Sequence, residues 1–279
     1  MNTNWFFITE KIEIKINFFY EWCNFQLFCT SFLHCNSKSI KTITMKTKQF
    51  FLSLFILGFL FSNTAFAERE DREVSSFSEI SLRISGKVHL EQGNRQSVRV
   101  EAKPSTLEEI ITEVKGRTLI IRFKSNNIFR RSFNPGRVDI YITVPEIQAL
   151  SVSGSGDIVA DSKIKSRILD LAVSGSGDIS LKNLDAERVK AAVSGSGDIL
   201  IGKGGVADEL AVAISGSGNV KAENFETKNV EVKIAGSGSC MVYATDYLKA
   251  RVSGSGNVIY KGNPQIDTSV VGSGRVKKL

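Results

Sequence analysis

Beyond residue 67 the sequence contains no tryptophan, one histidine (His89), one cysteine (Cys240) and only four prolines. One Cys cannot build an internal disulfide framework, and one Cys with one His cannot form a His/Cys metal cluster. So few prolines exclude a Pro-rich linker chain. Glycine, 23 of 279 residues, is far below the collagen fraction. No segment there approaches the roughly 18 consecutive apolar residues of a membrane-spanning helix. Charge of either sign is nearly balanced, with 30 Lys and Arg against 26 Asp and Glu. A surplus of +4 spread along the chain is no footprint for nucleic acid. What remains is ordinary globular material: 42% hydrophobic and 23% charged residues over the whole chain, which excludes wholesale disorder.

Residues 1–67 read differently. They hold both tryptophans (Trp5, Trp22) and three of the four cysteines (Cys23, Cys29, Cys35). Met45 to Lys48 is a short basic start, Phe50 to Phe61 an apolar run, and Ser62 to Ala67 ends in a small-x-small triplet before Glu68. In that order the three parts spell a secretory signal peptide over 45–67. The alternative, a transmembrane anchor, needs about 20 apolar residues for a ~30 Å hydrocarbon core, and the run has 12. No Cys stands near the cleavage point, which argues against lipid attachment. Residues 1–44 are rich in Asn, Lys, Ile and Phe without a clean period. They fit a start codon assigned too early, with a genuine cytoplasmic extension as the alternative. The expectation is an exported protein, periplasmic, surface-borne or secreted, whose body begins near Glu68.

The body is repetitive. Gly-Ser-Gly recurs with its two glycines at Gly154/Gly156, Gly175/Gly177, Gly195/Gly197, Gly216/Gly218, Gly236/Gly238, Gly254/Gly256 and Gly272/Gly274, at intervals of 18–21 residues. Counting from the first Gly of each copy, aliphatic residues occupy offsets −6, −4, −2, +4 and +6, as in Leu169, Leu171, Val173, Ile179 and Leu181. Odd offsets are mostly polar. A period of two is that of a strand, not of a helix. Both glycines share the apolar parity, so each Gly-Ser-Gly is expected to be a structural corner with glycines facing inward where no Cβ fits. A unit of about 20 residues cannot bury its own core, whereas stacked copies share one. The expected fold is mainly β: a parallel β-helix (β-solenoid) of about seven coils over 149–279. A leucine-rich repeat is the runner-up, and its fixed Leu/Asn pattern is missing. Cys240 takes a +4 core slot and reads as a small buried hydrophobe; an interchain disulfide or reactive thiol is the other reading. The closing Arg275-Val276-Lys277-Lys278-Leu279 would blunt an open strand edge with charge.

Residues 68–148 form the expected capping module. Alternating runs at Phe77–Ile84, Lys87–Glu91, Ser97–Ala102, Thr118–Phe123 and Val138–Val144 read as strands, separated by Gly- and Pro-containing turns. Pro104 to Ile110 reads as one short helix, with Leu107, Ile110, Ile111 and Val114 on its apolar face. Ser85-Gly86-Lys87-Val88 faintly repeats the corner motif, as a degenerate first coil would.

The order Phe77-Ser78-Glu79-Ile80, Ser85-Gly86-Lys87-Val88, Glu91-Gln92-Gly93, Val98-Arg99-Val100-Glu101-Ala102, Val114-Lys115-Gly116-Arg117-Thr118-Leu119 and Val138 to Pro145, running into Ser-Gly-Ser-Gly-Asp repeats, resembles the putative auto-transporter adhesin head GIN domain family of exported bacterial proteins. The resemblance spans about residues 74–274. It implies a β-helical, adhesin-like envelope or surface module, and it supplies no catalytic residues and no cofactor. The family's corner continues with Asn or Asp, and Ser239 and Arg275 depart from that.

Three features could carry chemistry. Offset +3 reads Asp157, Asp178, Asp198, Asn219, Ser239, Asn257 and Arg275. Stacked in register, three carboxylates ~4.8 Å apart would repel each other and could draw Ca²⁺; turn hydrogen bonding by solvated Asp and Asn is the preferred reading. The Ser column between the glycines lacks an adjacent base and reads as a hydroxyl ladder between coils rather than as nucleophiles. Arg122, Lys124, Arg130, Arg131 and Arg137, interleaved with Phe129 and Phe133, form a basic, aromatic loop. It is the best candidate for contact with an anionic glycan, a headgroup or an envelope partner, against a solvated loop with a Phe tucked onto the solenoid. The functional expectation is a non-catalytic binding or structural module of the cell envelope, with a glycan or surface component as partner and a homo-oligomer left open. A polyuronate lyase-like β-helix enzyme and an envelope stress or signalling component are the alternatives.

Overall fold

The computed structural model describes residues 68–124 and 134–279. The segments read as N-terminal extension and signal peptide, and the loop residues Phe129, Arg130, Arg131 and Phe133, lie outside the described residues.

From residue 149 onward the chain winds as a parallel β-solenoid. β8 (Ala149–Gly154) lies beside β9 (Asp157–Gly175), followed by β10 (Ile179–Gly195), β11 (Asp198–Gly204), β12 (Ala207–Gly216), β13 (Asn219–Gly236), β14 (Ser239–Gly254), β15 (Asn257–Lys261), β16 (Gln265–Val271) and β17 (Arg275–Lys278). Every pairing among them is parallel, and corner glycine meets corner glycine: Gly154 with Gly175, Gly175 with Gly195, Gly195 with Gly216, Gly216 with Gly236, and Gly236 with Gly254. One repeat is therefore one coil. The register is enforced by burial, because a slip of one residue would turn every aliphatic side chain into water. Leu150, Leu171, Ala191, Val212, Val232 and Ala250 stack in one buried column, and Ile158, Ile179, Ile199, Val220, Cys240 and Val258 in another. The last described coil departs from this, with Ile266 45% and Val270 39% exposed. Seven corners enclose about six complete turns, not seven coils, since a turn runs from one corner to the next.

The preceding segment continues the same stack, out of sequence order. β2 (Glu79–Leu82) pairs in parallel with both β6 (Thr118–Phe123) and β8. β3 (Lys87–Gln92) pairs in parallel with both β7 (Asp139–Val144) and β9. The coil made by β2 and β3 is thus held between the β6–β7 coil and the first Gly-Ser-Gly coil. Lys87 aligns with Asp157 and Val88 with Ile158, so the Ser85-Gly86-Lys87-Val88 echo is a true corner. Beyond β6–β7 the pairing turns antiparallel: β5 (Ile110–Lys115) on β6, β4 (Ser97–Ala102) on β7, and β1 (Glu68–Asp71) on β4. These strands cover one end of the parallel stack. One apolar cluster runs from Phe77 to Val258 without a break between module and repeats.

The helix is shorter than its sequence pattern predicts. α1 covers Pro104–Leu107, and Ile110 already begins β5. Ile110, Ile111, Thr112 and Val114 are β-branched, and a ladder against β6 is open to them, so strand wins over the continuation of a helical face.

Candidate binding surfaces

The corners come first, because they set the geometry of every outward column. The two glycines of a corner do different jobs, and the expectation that both face inward as one kind of structural corner is corrected. Only the second glycine is buried, at Gly156, Gly177, Gly197, Gly218, Gly238 and Gly256; Gly274, in the last coil, is half-buried because no further coil covers it. None of these seven has a left-handed backbone, so the chain does not turn on them. They are points of close approach instead. A Cβ built on Gly177 would collide with the Gly156 carbonyl oxygen and lie 2.8 Å from Val152 Cγ1. Gly197 meets the Gly177 carbonyl in the same way, Gly218 that of Gly197, Gly238 that of Gly218, Gly256 that of Gly238 and Gly274 that of Gly256.

The first glycine does the turning. At Gly154, Gly175, Gly195, Gly216, Gly236, Gly254 and Gly272 φ lies between +121° and +132°, and none of the seven is buried. A Cβ on Gly175 would point at the neighbouring coil, into the Gly154 carbonyl oxygen. That carbonyl accepts from two successive amides of the next coil, Ser176 N–H at 2.9 Å and Gly177 N–H at 3.0 Å, and the pattern recurs from corner to corner. The corner serines are exposed. Backbone amides, not serine hydroxyls, join corner to corner, which overturns the expected hydroxyl ladder.

The Asp column is held the same way. Asp157 Oδ1 accepts from the Asp178 N–H at 3.1 Å, Asp178 Oδ1 from the Asp198 N–H at 2.7 Å, Asp198 Oδ1 from the Asn219 N–H at 3.0 Å, and Asn219 Oδ1 from the Ser239 N–H at 3.0 Å. Each carboxylate caps the coil above it, a job Asn does equally well, which explains the mixed column. Partial burial pushes the Asp198 carboxyl up, but hydrogen bonds from Lys221 and Asn219 outweigh it and hold the group below the usual carboxylate range. Among the described residues no group of three or more His, Cys, Asp or Glu side chains is gathered to hold a metal ion, and Asp157, Asp178 and Asp198 each spend one carboxylate oxygen on an amide of the next coil.

The described part of the basic loop flanks a corner. Arg122 and Lys124 end the β6 side and Arg137 precedes β7, where the other coils carry Ser-Gly or Gly-Ser-Gly. Arg122 Nε donates to Glu113 Oε1 at 2.8 Å. The Lys124 amide donates to the Glu109 carbonyl at 2.8 Å. Arg137 Nε donates to Asp139 Oδ2, and His89 Nε2 lies 3.0 Å from Asp139 Oδ1. Burial raises the Asp139 carboxyl, while Arg137 and His89 together bring it below its ordinary value. His89 also stacks on Tyr141, centroids 4.9 Å apart. Arg122 and Arg137 are thus anchored by carboxylates, Glu113 on the neighbouring strand β5, which spacing alone could not reveal, and Asp139 two residues along the chain. Burial pushes the Cys240 thiol up, away from thiolate character.

Two depressions are not legible in the sequence, because they are built largely from outward residues that look merely solvated. One is an apolar groove of about 650 Å³, running along the axis over outward residues such as Ala172, Ala192, Ala213, Ser174, Ser194 and Ser215. The other is a polar cleft of about 400 Å³ lined by Arg188, Asp208, Glu209, Asn229, Glu231, Tyr247 and Lys249. Their common signal was the stacking register, which turns residues 18–21 apart into neighbours.

A continuous parallel core, in-register glycine corners and an end closed by antiparallel strands define a β-solenoid binding module. The chain belongs to the family described as "Putative auto-transporter adhesin, head GIN domain", which it matches over residues 76–264. Among solved structures it is similar to a putative adhesin from Bacteroides fragilis at 26% identity, with a TM-score of 0.71 over 76% of this chain and 96% of the other. A putative lipid binding protein from Parabacteroides distasonis is 27% identical, with a TM-score of 0.64 over 77% and 98%. A putative adhesin from the same species is 25% identical, with a TM-score of 0.61 over 77% and 98%. No curated protein matches the chain.

Proposed function

We propose that the chain is an exported, non-catalytic module of the bacterial envelope that binds a surface component through its regular outer face. The observation that carries this reading is the locked register, which stacks outward side chains into columns at one strand spacing over about six turns. The family and its putative adhesin neighbours support it. Among the described residues no helix is long and apolar enough to cross a membrane. Arg122 and Lys124 at the end of β6 and Arg137 before β7 offer a second contact point, in a loop whose Phe129, Arg130, Arg131 and Phe133 lie outside the described residues. The test is cell fractionation with protease shaving of intact cells, together with mass spectrometry of the native N-terminus. A mature start near Glu68 and release by external protease are expected. A cytosolic protein that retains residues 1–44 would overturn the reading, and release of unsaturated uronides from polyuronate would replace it with the lyase alternative.

A second reading is favoured by the apolar groove and by the relative named as a putative lipid binding protein: the groove receives an acyl chain. Titration with a fluorescent fatty acid tests it. Saturable binding weakened by Ala192→Glu is expected, and no saturation removes it.

A further inference from the structure

We infer that the polar cleft is a subsite for a neutral oligosaccharide, an inference that rests on the binding role proposed above and gives it a site and a ligand class. Parallel pairing sets Arg188 beside Glu209, Glu209 beside Asn229, and Asn229 beside Tyr247, one strand spacing apart along the axis. Glu231 and Lys249 make a second pair on the same outer face, two residues along each strand. A cation, a carboxylate, an amide and a phenol ring thus follow one another along a cleft of about 400 Å³.

The chemistry selects the ligand in three steps. First, the strand amides and carbonyls behind the cleft are spent in the parallel ladder, so a peptide cannot add as a strand there, and recognition falls to side chains. Second, the charges nearly cancel. Lys228 holds Asp208 at 2.8 Å, and Lys233 and Lys249 hold Glu231 at 3.1 and 3.4 Å. Lys228 above all, with Arg188 adding, keeps the Asp208 carboxyl below its usual range. A strongly anionic or cationic polymer gains no net attraction. Third, hydrogen-bonding capacity is left over. The Arg188 and Glu209 side chains make no hydrogen bond or close ion pair among the described residues, and Asn229 Nδ2 spends one donor on the Asp208 carbonyl at 3.4 Å. Paired donors and acceptors suit vicinal hydroxyls, which both give and accept, and the half-buried Tyr247 ring offers a face to a sugar's C–H groups. The apolar groove, lined by Ala, Val, Ile and Ser with Lys233 and Arg251, has no carboxylate, amide or aromatic side chain.

The test is isothermal titration calorimetry of the purified protein with neutral hexasaccharides of β-1,4-glucose, β-1,4-xylose, β-1,4-mannose and α-1,4-glucose, with a hexagalacturonate and a chitosan hexamer as charged controls. At least one neutral probe is expected to bind. Tyr247→Ala should weaken it about tenfold, and the surface changes Glu209→Gln and Asn229→Ala should each weaken it measurably with the melting temperature unchanged. Arg95→Ala, an exposed position between β3 and β4, should leave it intact. Absence of binding by every neutral probe at millimolar concentration, tighter binding of a charged control, or binding that survives the three cleft variants would each overturn the inference. A protein that fails here yet is still shaved from the cell surface would leave the envelope reading standing, so the two are separable.

Discussion

At the scale of the residue, the fold turns on atoms that are missing. Gly177 has no space for a methyl group, because the Gly156 carbonyl lies where a Cβ would go. Gly154, at the first corner, has open space around a Cβ and only the backbone requirement of φ +125°. Gly154→Ala is therefore expected to cost about 1–3 kcal/mol from backbone strain alone. Gly177→Ala should cost more, because a carbonyl and the Val152 side chain must also move. Urea midpoints of the two variants check the order, and equal losses would refute the distinction between the two glycines. Asp198 makes a second residue-level prediction. Its carboxyl titrates lower in the fold than in the unfolded chain, where the ordinary value is about 4. Its stabilisation is therefore present above that value and is lost as pH falls through the folded one. Asp198→Asn keeps an acceptor for the Asn219 amide, so this variant should lose less stability than the parent between pH 7 and pH 3 on denaturant titration.

Elements here are defined by their neighbours. Each coil rests on the coils beside it, and stability of such stacks is close to a sum of repeat and interface contributions. β9, β10, β13 and β14 are paired on both sides, whereas β16 and β17 each pair on one side. Hydrogen exchange should be fastest in β16 and β17 and slowest in β9, β10 and β13; uniform protection would contradict the stack-like energetics. The strands were legible in the sequence because alternation of aliphatic and polar residues is a local signal, as in Lys87–Gln92 and Ser97–Ala102. Ile110 to Val114 was misread because its apolar residues also satisfy a helical spacing, and only the distant partner β6 decides between the two. The corner glycines were legible as places without room, but their division of labour was not, since it depends on which way an absent Cβ would point.

At the largest scale, residues 149–279 form one stack in which residues 18–21 apart become neighbours. That is why the candidate cleft was invisible along the chain: Arg188, Glu209, Asn229 and Tyr247 share no local motif and meet only through register. Removal of one full repeat, residues 195–215, joins Ser194 to Gly216 in place of Gly195 and leaves every column aligned. That variant should fold with a lower melting temperature, while removal of 196–205 alone should abolish the cooperative transition, as circular dichroism would report. The out-of-order coil has a consequence for how the chain is made. Glu79 must sit between Thr118 and Ala149, both of which leave the ribosome after it. The earliest strands of the body thus wait, unmatched, for partners still to be synthesised. A chain with that dependence closes its first coil only after its middle has been made.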